Sequence, residues 1–137
     1  MKVKDIMTKG VVTVNKDFSI YEVAEVIARY GISGVAVIGE EGSLDGTISE
    51  RDIIRAIAEK EDISKLCAGD IMMPCAITVS PEMDIKEVLE LMWKENVHRL
   101  FVCVDEKITP ARVGARYRQR PVGIIAASDL VRQLSRG

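Results

Sequence analysis

Much that would point to a particular chemistry is scarce in this chain of 137 residues. There is a single histidine, His98, and no His–Ser–Asp set of credible geometry, metal-ligand cluster or phosphate-binding glycine loop accompanies it, so the sequence offers little support for catalysis and none for a metal. The three cysteines, Cys67, Cys75 and Cys103, are odd in number and lack CxxC spacing, which argues against a disulfide framework or a zinc site. Cys103, inside Val102-Cys103-Val104, reads as a buried free thiol on a strand. Aromatic residues make up 4%, and the lone Trp93 reads as packing rather than as a base-stacking surface. No apolar run is long enough to span a bilayer, and Met1-Lys2-Val3-Lys4-Asp5 lacks the apolar core of a signal peptide; the expectation is a cytoplasmic protein with no membrane contact. A formal net charge of −2 and a pI near 5.5 do not suggest a general nucleic-acid binder.

What the chain does have is a duplication. Val3–Asp52 reappears, diverged, as Ala68–Asp129. Asp5-Ile6-Met7 recurs 65 residues on as Asp70-Ile71-Met72, as do Thr13-Val14 at Thr78-Val79 and Ile20, Glu22 and Val23 at Ile85, Glu87 and Val88. Past an insertion of about a dozen residues the offset becomes 77, and Gly46–Asp52 aligns with Gly123–Asp129. Such copies bury each other's apolar faces as pseudo-symmetric halves, and a cleft between halves suits a ligand.

Each copy reads strand–helix–strand–strand–helix. Val11-Val12-Thr13-Val14 is a strand, and Ser19-Ile20-Tyr21-Glu22 opens a helix as a capping box, with Ile20, Val23, Ala24 and Ile27 on one face and Gly31 at its end. Val35–Ile38 is the second strand, Glu40–Ser43 a hairpin turn, Leu44–Ser49 the third strand, and about 50–59 a helix with Ile53, Ile54 and Ile57 apolar. In the second copy Ile77–Val79 is a strand, Asp84 caps a helix with Ile85, Val88, Leu89 and Met92 apolar, and Leu100–Val104 follows. The predicted organisation is one repeat at 1–59, a polar linker at 60–69 and a second repeat at 70–137. Met7, Met72, Met73, Met83 and Met92 read as core and hinge filling.

The insertion, about 107–120, is the main asymmetry. It holds Lys107, Arg112, Arg116, Arg118 and Arg120 and no acid, so its +5 leaves −7 for the rest. Val113–Tyr117 suits the tip of an extended hairpin. One reading is a solvated loop offsetting an acidic body; the other is a partner surface for phosphate, RNA or an acidic protein through Arg112, Arg116, Arg118 and Arg120.

The repeat resembles the CBS domain, and the pair resembles a Bateman module. The resemblance rests on Asp5-Ile6-Met7-Thr8, Gly31–Val37 and Gly46–Asp52, and on Asp70-Ile71-Met72, Asn96–Val102 and Gly123–Asp129. It covers nearly the whole chain apart from the insertion. Two departures stand out: Ala36 and Phe101 replace a proline common in the family's second strand, and Ala126 replaces the hydroxyl residue of the motif that Ser49 and Asp52 satisfy.

The resemblance implies an α/β fold, two repeats packed as a pseudo-two-fold module, that binds adenosine-containing ligands such as AMP, ADP, ATP or S-adenosylmethionine in clefts between the repeats. One cleft would combine Ser49, Arg51 and Asp52 with Ile77, Val97, His98 and Arg99; the other, weaker, would combine Ala126, Ser128 and Asp129 with Val12, Ser33 and Gly34. The chemistry favours the first. A carboxylate accepts both hydroxyls of a ribose cis-diol, Arg99 offers a planar fork to phosphate, and His98 and Arg51 add donors. The second keeps Asp129, but Ser33 and Gly34 bring no positive charge.

Simpler roles compete. Ser49 and Asp52 also form a capping box at a helix start, although Ala126 has lost the hydroxyl while Asp129 remains, which capping alone does not require. A lone histidine near a strand start is commonly structural; Arg99 beside it favours a ligand role. The expectation is a stand-alone, non-enzymatic regulatory sensor of adenine nucleotides with no catalytic cofactor, pairing into a homodimer through the faces at Ile20–Ile27 and Ile85–Met92 and read by a regulated protein partner. An S-adenosylmethionine binder, a ligand-gated nucleic-acid or acidic-protein binder, and an enzyme, which nucleotide turnover would reveal, are the alternatives.

Overall fold

The structure, a computed structural model, describes residues 1–39, 42–59, 62–74, 77–108 and 116–136. The expectations at Glu40-Glu41, Cys75, Arg112 and Val113-Gly114-Ala115 lie outside the described residues. In chain order the elements are α1 (Val3–Ile6), β1 (Thr8–Lys9), β2 (Thr13–Asn15), α2 (Ile20–Tyr30), β3 (Gly34–Ile38), β4 (Leu44–Ser49), α3 (Glu50–Glu59), a 3-10 turn (Ile63–Lys65), α4 (Ala68–Ile71), β5 (Met73–Pro74), β6 (Thr78–Val79), α5 (Ile85–Glu95), β7 (Arg99–Ile108), β8 (Arg116–Ala126) and α6 (Ala127–Arg136). None of the described helices is long and apolar enough to cross a membrane.

The chain forms two compact units, and they are not the two sequence copies. One is Val12–Ala76; the other joins Met1–Val11 to Ile77–Gly137. The first has a sheet ordered β2-β3-β4-β5, with β2–β3 parallel and the remaining pairs antiparallel. The second repeats this as β6-β7-β8-β1. The segment that begins each copy, carrying Asp-Ile-Met, thus supplies the edge strand of the other copy's sheet. Part of the stretch read as a polar linker is built into this arrangement: Ala68, fully buried, opens α4.

The glycine that begins each Gly46–Asp52-type motif follows from this exchange. A Cβ on Gly46 would lie 2.7 Å from the Met73 carbonyl oxygen and 2.8 Å from Met72 Sδ. On Gly123 it would lie 2.7 Å from the Thr8 carbonyl oxygen and 3.0 Å from Met7 Sδ. Only glycine lets the exchanged strand approach this closely.

Local signals explain the helices. Ser19 Oγ accepts from the Glu22 amide at 3.1 Å, while the Glu22 carboxylate accepts from the Ser19 amide at 3.2 Å, closing the capping box. Asp84 caps α5 by accepting from the Lys86 amide at 2.9 Å. Gly31 ends α2 in the left-handed region (φ 62°), and Asn96 ends α5 the same way (φ 53°), a conformation asparagine tolerates better than most residues. Where a proline in the second strand would have no N–H, the Ala36 amide donates to the Val12 carbonyl at 3.3 Å.

Val14, Val23, Ile27, Val35, Val37, Ile48 and Ala68 form the core of the first unit; Val3, Val79, Val88, Met92, Leu100, Val102, Ile125 and Leu130 form that of the second. The expected apolar face of α3 is only partly inward. Ile53 packs on the core, but Ile54 and Ile57 are exposed, and Asp52 and Ala56 are buried instead. Trp93 does not pack within the fold: it is 88% exposed, with Leu89 also exposed one turn before it.

Candidate functional site

In the unit Val12–Ala76 the candidate residues meet where β4 runs directly into α3. The register pairs Gly34 with Ser49, and Ser33, just before β3, accepts the Glu50 amide on its carbonyl at 3.0 Å. Asp52, 7% exposed, is at the third helical position. Its Oδ2 accepts from the Ser49 amide at 2.8 Å and from Ser49 Oγ at 3.0 Å, while the Asp52 amide donates to Ser49 Oγ at 3.3 Å. Its Oδ1 accepts from Arg55. The capping box therefore forms in full, and Arg55, a residue the sequence reading did not single out, occupies the other carboxylate oxygen. Three-residue spacing on a helix was the available signal. Arg51 is exposed, and Ser33 Oγ is buried without a hydrogen-bond partner, a polar atom of the kind a ligand satisfies.

The unit of Met1–Val11 and Ile77–Gly137 builds the same junction with fewer bonds. Arg99 pairs with Ala126 in register, and the His98 carbonyl accepts the Ala127 amide at 2.8 Å. Asp129 Oδ2 accepts from the Ala126 amide at 3.0 Å, and its Oδ1 faces Arg132 at 3.4 Å. Capping does use Asp129, then, through the half of the box that needs no hydroxyl. His98, Arg99 and Ser128 are exposed, Ile77 is 38% exposed, and Val97 is half-buried. A cavity of about 190 Å³ in this unit is walled by Asp5, Ile6, Asp129, Arg132, Gln133 and Arg136. Within single units, the structure therefore brings Ser33 and Gly34 to Ser49 and Asp52, and His98 and Arg99 to Ala126 and Asp129. The sets expected for one ligand draw on both units.

The insertion lengthens β7 and β8 into a two-stranded ribbon, paired as far as Ile108 with Arg116. Alternation puts Arg118 and Arg120 on one face. Glu106 shares that face and accepts from Arg118 at 3.0 Å and from Arg120 at 2.7 Å. The hydrogen bond from Arg118, foremost, holds the Glu106 carboxyl below its ordinary range. Glu106 lies one residue outside the segment read as acid-free. On β7, burial pushes the Cys103 thiol up to about 11, so it is an inert neutral thiol at neutral pH.

Comparison with known proteins adds three findings. A family model described as the CBS domain matches residues 3–59 and again 68–109. Among curated relatives, the CBS domain-containing protein YhcV of Bacillus subtilis is 28% identical over 135 residues, which cover 97% of this chain and 86% of that one. Inosine-5'-monophosphate dehydrogenase of Methanocaldococcus jannaschii is 30% identical over 132 residues, 96% of this chain but 23% of the enzyme. The chain also spans only 42% and 54% of two further archaeal relatives. Among solved structures, the CBS domain pair of protein MJ0100, in complex with 5'-methylthioadenosine and S-adenosyl-L-methionine, matches with a TM-score of 0.79 at 28% identity, covering 98% of this chain and 96% of that one.

Proposed function

The chain belongs to the CBS domain family as a tandem pair, and from that premise we propose that it is a regulatory module sensing an adenosine-containing ligand. The observation that carries the reading is the duplicated strand-to-helix junction, each with a carboxylate at the helix start. Asp52 and Asp129 are the ribose acceptors in this proposal. Asp129 keeps a second lone pair on each carboxylate oxygen, whereas Asp52 keeps one on Oδ1, and a diol that takes both of its oxygens displaces the Ser49 hydroxyl from Oδ2. Ser49, Arg51 and Asp52 act with Ile77, Val97, His98 and Arg99; Val12, Ser33, Gly34, Ala126, Ser128 and Asp129 form the weaker set. The exposed pair His98-Arg99 gives the first set a cationic end for phosphate, which favours AMP, ADP or ATP. The module is a homodimer, and a protein partner reads the ligand-dependent state. Such a shift requires different ligand affinity in the two states.

S-adenosylmethionine is the second reading, favoured by the ligands bound to the MJ0100 pair. Arg99→Ala separates the two. In a thermal-shift screen against AMP, ADP, ATP, S-adenosylmethionine and methylthioadenosine, the native ligand at about a hundredfold excess over its Kd stabilises by roughly 2.7 kcal/mol. Arg99→Ala abolishes the shift for a phosphate-bearing ligand and leaves a sulfonium ligand's shift intact. Asp52→Asn, which keeps an oxygen for the cap, weakens either. No shift with any of the five, in protein free of co-purified nucleotide, removes the sensor reading. A further reading, the ribbon as a nucleic-acid or acidic-protein surface, has Arg118 and Arg120 aligned in its favour and Glu106 against it. Steeply salt-dependent RNA binding supports it.

A further inference from the structure

One face of α6 is polar and yet walled in. Asp129, Arg132, Gln133 and Arg136 stand at i, i+3, i+4 and i+7, so they share a stripe of the helix. A polar stripe ordinarily faces open water. Here α1 of the same unit packs against α6, and Asp5 and Ile6 complete the cavity of about 190 Å³. Five of its six lining residues are charged or carry an amide.

The duplication supplies a comparison. In the other unit α4 packs against α3 in the same way, and the matching stripe is Asp52, Arg55, Ala56 and Glu59, with Asp70 on α4. Ala56 is buried there, and Glu59 stands where α6 has Arg136. That corner sets three acids against one arginine. The α1–α6 corner sets two acids against two arginines, so only there do the charges balance.

Its groups also have bonding capacity left. Asp5 Oδ2 accepts from the Lys2 amide at 2.9 Å, and Asp129 Oδ2 accepts from the Ala126 amide at 3.0 Å. Arg132 reaches Asp129 Oδ1 only at 3.4 Å, longer than a good N–H···O bond. Gln133 and Arg136 have no side-chain partner among the described residues. A phosphate held by the two arginines would face two carboxylates, and a metal ion held by the carboxylates would face two guanidinium groups. A molecule with both charges a few ångströms apart satisfies all four. The volume is below the roughly 300–1,000 Å³ of sites for drug-sized ligands, which suits a small polar group and excludes a whole nucleotide.

We propose that the α1–α6 corner binds the zwitterionic head of an α-amino acid, its carboxylate on Arg132 and Arg136 and its ammonium on Asp5 and Asp129. Planar guanidinium forks suit a carboxylate, and carboxylate oxygens are the acceptors an ammonium needs. Two sources carry this head: a free amino acid, and the aminoacyl end of a larger ligand such as S-adenosylmethionine. The site stands apart from the adenosine reading except at Asp129, which both use.

Amide NMR on the full chain tests it, with L-methionine as the probe. Saturable shifts are expected in α1 and α6, while α3 and α4, the corner of unbalanced charge, stay still. N-acetyl-L-methionine has lost the cation and L-methioninamide the anion; each should bind roughly tenfold more weakly, the worth of a charge-assisted hydrogen bond. Arg136→Glu installs the other unit's charge at an exposed position and should cost methionine a similar factor, as should Asp5→Asn, which keeps an oxygen for the Lys2 amide. S-adenosylmethionine separates the sources. If Arg136→Glu weakens it and spares methylthioadenosine, which has no aminoacyl group, the head is read as part of the larger ligand; shifts with methionine alone assign the site to a free amino acid. No shift in α1 and α6 with either molecule overturns the proposal. So does equal binding of the blocked derivatives, or inorganic phosphate moving these amides where methionine does not. Each of those failures leaves the thermal shifts of the Asp52 set, and with them the adenosine reading, standing.

Discussion

The junction at Ser49–Asp52 and the junction at Ala126–Asp129 are the same device built to two standards. At the first, acid and hydroxyl satisfy each other's backbone amides and the acid also holds Arg55. At the second, the acid still reaches back to the Ala126 amide, but no side-chain oxygen returns the favour to the amide of Asp129. Of the two residues, the acid is therefore the part neither junction gives up. It caps the helix in both places, and it is the group best suited to a diol.

The comparison breaks most visibly at the glycines. Gly46→Ala and Gly123→Ala each push a methyl to within 2.7 Å of an edge-strand carbonyl, and each should lose about 1–3 kcal/mol in urea unfolding. Similar losses mean that the two exchanged strands are held alike; a harmless change at one site means that its strand yields. Next come the acids. Asp52→Ala should cost about 1–2 kcal/mol and Asp129→Ala about half as much, because the second carries fewer bonds. Ala126→Ser restores the missing hydroxyl and should recover roughly 0.5–1 kcal/mol by the same measurement.

Acid sharpens the contrast further. Glu82, held low chiefly by its hydrogen bond from Lys4, and Glu106, held low chiefly by Arg118, both belong to the unit containing β7 and β8; Asp70, held low by the Cys67 amide, belongs to the other. A carboxyl lowered on folding contributes stability above its unfolded pKa and loses it as pH falls through the folded one. Amide protection of α1 and of the β7–β8 ribbon, taken relative to the unstructured exchange rate at each pH, should fall as pH drops below the ordinary carboxylate range, and Glu106→Gln should remove the ribbon's share. The smallest effect is one of reactivity. Cys67, half-buried, should be alkylated at neutral pH well before Cys103, with peptide mapping to assign the sites.

The elements were legible because their signals are local. The Ser19–Glu22 box, the apolar positions of α2 and the turn at Gly31 each act within a few residues. The edge-strand exchange was not, since a repeat shows which segments are copies and not which sheet each copy completes. Its trace was nonetheless present in Gly46 and Gly123, which no turn required. At the candidate sites Ser49 with Asp52 could be read from spacing, while the hold of Arg55 and Arg132 on the acids depends on rotamers that spacing does not specify. Glu106 escaped because charge was counted along the chain, whereas a hairpin adds charges across it. Trp93 was misjudged because hydrophobicity says that a side chain seeks cover, and not whether its own fold provides it.

The exchanged edge strand also imposes an order on synthesis. Thr8 and Lys9 pair with Ile124 and Gly123, and Val3 is fully buried against a core that includes Ile125 and Leu130. At translation rates of about 5–20 residues per second, on the order of ten seconds separate the making of β1 from the making of its partner. Val12–Ala76 is continuous and has all its strands long before then. Its sheet can be completed first, whereas the segment ahead of it has no strand to pair with in its own sheet until β8 is made.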